Sequence, residues 1–110
     1  MKRAPITTHI LDLVSGTPAA GVKVALFLDG SLLAESETDA DGRVETWGSS
    51  FDLSDGRYRL KFRVGPWFES LAIKSFYDDV EISFLVKGQE EHYHVPLLLS
   101  PHGYSTYRGS

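Results

Sequence analysis

Apolar and polar residues alternate along most of this chain, with a period of two. Residues 57–64 show it most clearly, because Tyr58, Leu60, Phe62 and Val64 interleave with Arg57, Arg59, Lys61 and Arg63. Successive side chains of an extended chain point to opposite faces, so this stretch predicts a strand with one buried and one wet face. Residues 22–28 repeat the pattern, with Val22, Val24, Leu26 and Leu28 on one side and Lys23, Ala25 and Phe27 on the other. Asp29-Gly30 follows directly and is a type I′ hairpin signal. Residues 31–38 then return as the partner strand, polar over their second half. Residues 6–14 read as extended through Thr7, Thr8 and Ile10, until Ser15-Gly16-Thr17-Pro18 supplies turn residues. Val80, Ile82, Phe84 and Val86 alternate again. In the last strand Tyr93, Val95, Leu97 and Leu99 share one face, and His92, His94, Pro96, Leu98 and Ser100 share the other.

The period changes at Gly65-Pro66. Pro66 suits the first position of a helix, and Trp67, Phe68 and Leu71 form an apolar stripe, so residues 67–74 are predicted helical. Asp39-Ala40-Asp41-Gly42 is a turn leading into Arg43, Val44 and Glu45, and Asp78-Asp79 marks another. About seven or eight short strands with regular turn signals and one helix make an antiparallel β-sandwich pattern. Residues 80–86 and 104–108 carry few edge-blocking charges, so they are candidates to pair across subunits.

With 110 residues, 42% hydrophobic and 24% charged, the chain reads as one globular domain over residues 1–110. A net charge of −4 argues against nucleic acid as a partner. No cysteine is present, which excludes disulfides and thiolate metal sites and suits a cytoplasmic protein. No apolar run reaches the length of a membrane span, and the opening MKRAPITTHILD lacks the apolar core of a signal peptide.

Candidate chemistry gathers toward the C-terminus. Residues 92–110 hold two of the four histidines and an aromatic-rich tail with Tyr104 and Tyr107, ending on Arg108, Gly109 and Ser110. His92 and His94 project from one strand face. His9 shares a face with Thr7 and Leu11 and, alone, reads as a sheet-face histidine without chemistry. Together His9, His92 and His94 would also suit a three-histidine metal site. Arg43 reads alone as a surface cation paired with Asp39 or Asp41. The acidic turn from Asp39 departs from a calcium loop, since its twelfth position is Ser50 rather than Glu. The basic row Arg57, Arg59, Lys61 and Arg63 reads as a solvated face, with anion binding as the alternative.

Three stretches carry a family resemblance. ITTHILD at residues 6–12, TDADGRV at 38–44 and HYHVPLLLSP followed by GYSTYRGS at the end resemble, in order, the motifs of the transthyretin-related 5-hydroxyisourate hydrolases. The resemblance implies an all-β, transthyretin-like sandwich of two four-stranded sheets with one short helix, assembled as a homotetramer with active sites at subunit interfaces. It implies hydrolysis of a small-molecule substrate, 5-hydroxyisourate, to 2-oxo-4-hydroxy-4-carboxy-5-ureidoimidazoline, with no metal and no organic cofactor. His9, Arg43 and His94 match the family's catalytic residues. The tail residues Tyr107, Arg108, Gly109 and Ser110 match the tetrapeptide that lines its substrate site, and His92 matches a further family histidine that binds substrate or stands behind the residues that do. Asp78 and His102 depart from the family pattern, both in turns.

The matched residues suit the reaction. An unperturbed imidazole titrates at about pH 6.5, so neutral histidine can accept a proton from water. The guanidinium fork of Arg43 can hold a planar, oxygen-rich ring. Either histidine can serve as the base, and the Ser110 carboxylate can orient one of them as an acid does in a triad. The other outcomes of the resemblance are a ligand carrier like transthyretin, in which Lys, Glu and Thr stand where this chain has His9, Arg43 and His94, and an inactive structural homologue.

Overall fold

The apolar faces of two twisted sheets close on each other, and the core lies between them. The computed structural model describes residues 4–88 and 92–110; the reading of Met1, Lys2 and Arg3 as a non-signal start lies outside them. The strands are β1 (Ile6–Asp12), β2 (Thr17–Pro18), β3 (Lys23–Leu28), β4 (Ser31–Glu37), β5 (Arg43–Val44), β6 (Gly56–Phe62), β7 (Val80–Val86), β8 (Tyr93–Ser100) and β9 (Gly103–Thr106), with one helix, α1 (Val64–Ser70). One sheet runs β4-β3-β6-β7. The other runs β2-β1-β8-β9, and β5 also pairs with β1. The two-residue strands β2 and β5 share one edge of β1 between them, so this sheet too is four positions wide.

Alternation placed the core residues. Tyr58, Leu60 and Phe62 of β6 are buried, as are Val24 and Leu26 of β3, Ile6 and Ile10 of β1, and Tyr93, Val95, Leu97 and Leu99 of β8. The expected hairpin is present, with φ 48° at Asp29 and 88° at Gly30, the two positive values a type I′ turn requires. Three of the four cations in the basic row 57–63 are paired. Arg63 meets Asp79 at 2.8 Å, Lys61 meets Asp79 at 3.7 Å and Arg59 meets Glu81 at 3.4 Å. Exposed pairs of this kind add little stability, but they occupy three of the four cations that an anion would need.

Four features differ from the expectation. β1 and β8 pair in parallel, an exception within the antiparallel sandwich that was expected. β1 stops at Asp12 rather than at residue 14, because the Asp12 carboxylate accepts from the Val14 N–H and the Ser15 hydroxyl and turns the chain. The helix begins at Val64 instead of Trp67, so Pro66 lies inside its first turn. Val64 is the last apolar position of the strand alternation, yet its spacing of four from Phe68 also fits a helix, and these two are its buried residues. Leu71 faces outward, because the helix ends there. The Ile73 N–H bonds the Phe68 carbonyl and the Ala72 N–H bonds that of Glu69, both at 3.0 Å, with Ala72 at φ 58°. This is a Schellman stop with a non-glycine residue in the left-handed position.

Among the described residues no helix is long and apolar enough to cross a membrane.

Candidate active site

The outward face of the β1–β8 sheet collects the candidate residues. Burial of Ile6, Thr8 and Ile10 forces Thr7 and His9 to the other side of β1. The parallel register sets Thr7 beside His94 and His9 beside Pro96. The antiparallel pairing with β5 sets Arg43 beside His9. Side chains on paired positions share a face, so His9 and Arg43 are direct cross-strand neighbours and His94 is a diagonal one.

The turn before Arg43 explains how it gets there. The Asp39 carboxylate accepts from the Asp41 N–H at 2.9 Å and from the Arg43 N–H at 3.0 Å. It therefore caps the loop backbone, which is a different task from pairing with the guanidinium or holding calcium. Among the described residues Arg43 joins no ion pair with Asp39 or Asp41. Gly42 has φ 73°, and a Cβ there would lie 2.5 Å from the Ile10 carbonyl oxygen. Only glycine lets the loop approach β1 closely enough for the Ile10 N–H to bond the Gly42 carbonyl at 2.8 Å. That contact seats Arg43 opposite His9.

His92 and His94 meet on a residue that sequence reasoning missed. The Thr7 hydroxyl oxygen is 2.8 Å from His94 Nδ1 and 3.1 Å from His92 Nε2. The two rings lie nearly parallel, 13° apart. Thr7 is only 2% exposed, covered although it stands on the outward face. Its position two residues before His9 in ITTHILD was the available signal. The register sets His9 beside Pro96 and Arg43 instead, and among the described residues no three His, Cys, Asp or Glu side chains converge as metal ligands.

The tail is held by β8 in two pieces. β9 pairs with β8 as far as Leu97 and Thr106, and the same register resumes at His94 and Gly109. Pro96 lies at the gap. It has no N–H to offer Tyr107, and its carbonyl accepts from the Thr106 hydroxyl at 2.7 Å. The Gly109 N–H then bonds the His94 carbonyl at 2.8 Å. A Cβ on Gly109 would lie 2.6 Å from His94 Cδ2 and 3.3 Å from Pro96 Cγ. The tail backbone thus rests against the His94 ring, and only glycine permits it.

The remaining tail residues divide. Continuing the register puts Tyr107 beside Pro96, where it is exposed. Arg108 falls beside Val95, a core-facing position. Its guanidinium lies 4.4 Å from the Tyr93 ring centroid and reaches the His92 carbonyl at 3.5 Å. Arg108 therefore sits on the other side of the strand from His9, Arg43 and His94 within one chain. Ser110 is exposed beyond Gly109. A larger concavity, about 950 Å³ between the hairpin tip at Asp29 and Arg57 and Lys87, contains no histidine. The histidine face is an open sheet surface.

A profile of the HIUase/Transthyretin family matches residues 6–109. The chain is 50% identical to the 5-hydroxyisourate hydrolase of Caulobacter vibrioides, covering 96% of this chain and 97% of that protein. Its fold is similar to the structure of Klebsiella pneumoniae 5-hydroxyisourate hydrolase, with a TM-score of 0.87 and 43% identity over 96% of this chain and 98% of that one. It is also similar to sea bream transthyretin in complex with thyroxine, with a TM-score of 0.88 and 29% identity over 96% and 95%. A match spanning almost the whole chain, with two proteins of one named activity among its relatives, makes this chain a member of the HIUase/transthyretin family.

Proposed function

We propose that this chain is a 5-hydroxyisourate hydrolase, a single domain over residues 1–110. It opens one ring C–N bond of 5-hydroxyisourate with water to give 2-oxo-4-hydroxy-4-carboxy-5-ureidoimidazoline in urate degradation. The observation that carries this reading is the outward face itself. A histidine paired with an arginine, and a second histidine with Nδ1 engaged by a hydroxyl, share one sheet surface. The fold alone serves a thyroxine complex equally well. A carrier, however, has no use for a proton acceptor beside a guanidinium fork, and this face has both.

With Nδ1 committed to Thr7, proton chemistry at His94 falls to Nε2. Neutral His94 takes a proton from water as the water oxygen attacks a ring carbonyl carbon. The carbonyl oxygen gains negative charge, and Arg43 stabilises it with charge-assisted hydrogen bonds. Collapse of the adduct breaks the C–N bond, and the proton held at His94 goes to the departing ring nitrogen. His9, beside Arg43, orients the substrate or the water. Gly109 lets the tail backbone close over His94, Tyr107 and Ser110 bound the pocket, and Arg108, which lies on the other side of its own strand, could reach substrate only at a site completed by a second copy.

An open sheet face gives a small ring no opposite wall. The reading therefore includes a homotetramer in which a second copy covers this face and completes the site at a subunit interface. β7 and β9 are edge strands available for pairing between copies. The lack of cysteine suits a cytoplasmic location.

The test is a coupled ultraviolet assay in which urate oxidase makes 5-hydroxyisourate in situ. Rapid decay that requires the protein, persists with EDTA and is lost in His94→Ala supports the reading. Decay no faster than spontaneous, from a folded protein, overturns it and favours a ligand carrier.

A further inference from the structure

Proton transfer in the proposed reaction falls to imidazole groups, yet the group that touches both His92 and His94 is a neutral hydroxyl. Thr7 Oγ1 lies within hydrogen-bond distance of one nitrogen from each ring. Its backbone is held in β1, paired with β8 at His94, and its branched side chain has restricted rotation. The oxygen is therefore fixed between the rings.

Counting protons limits what this arrangement can be. A threonine hydroxyl has one proton to donate and two lone pairs to accept with. It cannot donate to both nitrogens, so at least one imidazole brings its own N–H to the oxygen. If His94 donates from Nδ1 and the hydroxyl donates on to His92 Nε2, neutral His94 keeps its lone pair on Nε2. That is the form that can accept a proton from water. In the reverse direction His94 carries its proton on Nε2 and cannot act as a base there.

We propose that Thr7 is a positioning residue for the hydrolysis, resting on the hydrolase reading above. Its hydroxyl accepts from His94 Nδ1–H and donates to His92 Nε2, which fixes His94 in the basic tautomer. His92 then serves as the acceptor for the Thr7 hydroxyl rather than as a substrate ligand. The role is the one a carboxylate fills behind the histidine of a triad, here filled by a hydroxyl and a second imidazole. When His94 Nε2 takes the proton from water, the imidazolium strengthens its bond to Thr7. Thr7 in turn becomes a better donor to His92. No other proton changes owner, and the one taken from water leaves with the ring nitrogen.

The test uses Thr7→Val, which keeps the branched shape and removes the hydroxyl, and Thr7→Ser, which keeps the hydroxyl. Thr7→Val should lower kcat by about 10–100-fold, a smaller loss than the ~10⁴-fold seen when a triad histidine loses its orienting carboxylate, with KM little changed. Thr7→Ser should recover most of that loss. Imidazole nitrogen NMR gives a readout independent of turnover. In the wild-type protein His94 should carry its proton on Nδ1, and in Thr7→Val that preference should disappear. A wild-type His94 with its proton on Nε2, or a folded Thr7→Val with wild-type kcat, overturns the proposal. Should Thr7→Val fail to fold, the wild-type tautomer and the Thr7→Ser kinetics decide it. A wild-type protein inactive on 5-hydroxyisourate defeats the hydrolase reading instead, while the tautomer measurement still tests the Thr7 bridge.

Discussion

His9 and Arg43 face each other across the β1–β5 pair, although 34 residues apart in number, because β5 is a two-residue strand laid against the edge of β1. Neither strand end is free to slide. The Arg43 N–H is bound to the Asp39 carboxylate and the Ile10 N–H to the Gly42 carbonyl. These contacts set the backbone position of Arg43 opposite His9.

Arg43→Lys tests whether the fork matters beyond its charge. An ammonium cannot give two parallel hydrogen bonds to a planar group, so kcat/KM should fall about 10–100-fold with stability unchanged. Kinetics matching wild type would return Arg43 to the role of a surface charge.

Gly42→Ala places a methyl against the Ile10 carbonyl at a left-handed φ. The expected cost is about 2 kcal/mol of stability or more, read by denaturant unfolding, with kcat/KM reduced as Arg43 shifts from His9. An unchanged midpoint with full activity would mean the loop relaxes without moving Arg43.

Gly109→Ala acts at the other wall of the site. The added Cβ meets His94 Cδ2 at 2.6 Å, and the tail lies at the sheet edge, so activity should fall while the unfolding midpoint barely moves. A full-activity variant would show that the tail does not need to lie against His94 during turnover.

Removal of residues 107–110 extends that experiment. The tail regains β8 through the Gly109–His94 bond, beyond the last core contacts of β9. The truncated protein should fold, by circular dichroism and size-exclusion chromatography, and lose turnover. Unfolding on truncation would make the tail's cation–π contact between Arg108 and Tyr93 part of the fold.

Ala72→Gly concerns stability alone. Ala72 sits at φ 58° in the helix stop. Relief of the left-handed strain outweighs the added freedom of the unfolded chain, and the gain should be about 0.5–1 kcal/mol. A destabilised variant would mean the Ala72 methyl makes contacts that matter more than its backbone strain.

The sequence by itself determined where the long strands lie and which side chains each one buries. Alternation in residues 57–64 and 80–86 is local, because it follows from the two-residue repeat of an extended chain. The same parity put His92 and His94 on one face, and Asp29-Gly30 announced its own turn through backbone preference. Short elements were harder. Val64 satisfies both a strand and a helix repeat, so the start of α1 was ambiguous until Phe68 packed beneath it. The tertiary structure alone decided which strands become neighbours. Thr7 and His94 are 87 residues apart, and no local pattern in either segment encodes a parallel pairing of β1 with β8. That register is set when both strands bury their apolar faces in one core. It is also what turns an ordinary threonine into the link between two histidines, while the β1–β5 pairing sets Arg43 against His9 and the β8–β9 register sends Arg108 to the opposite side of the strand from both.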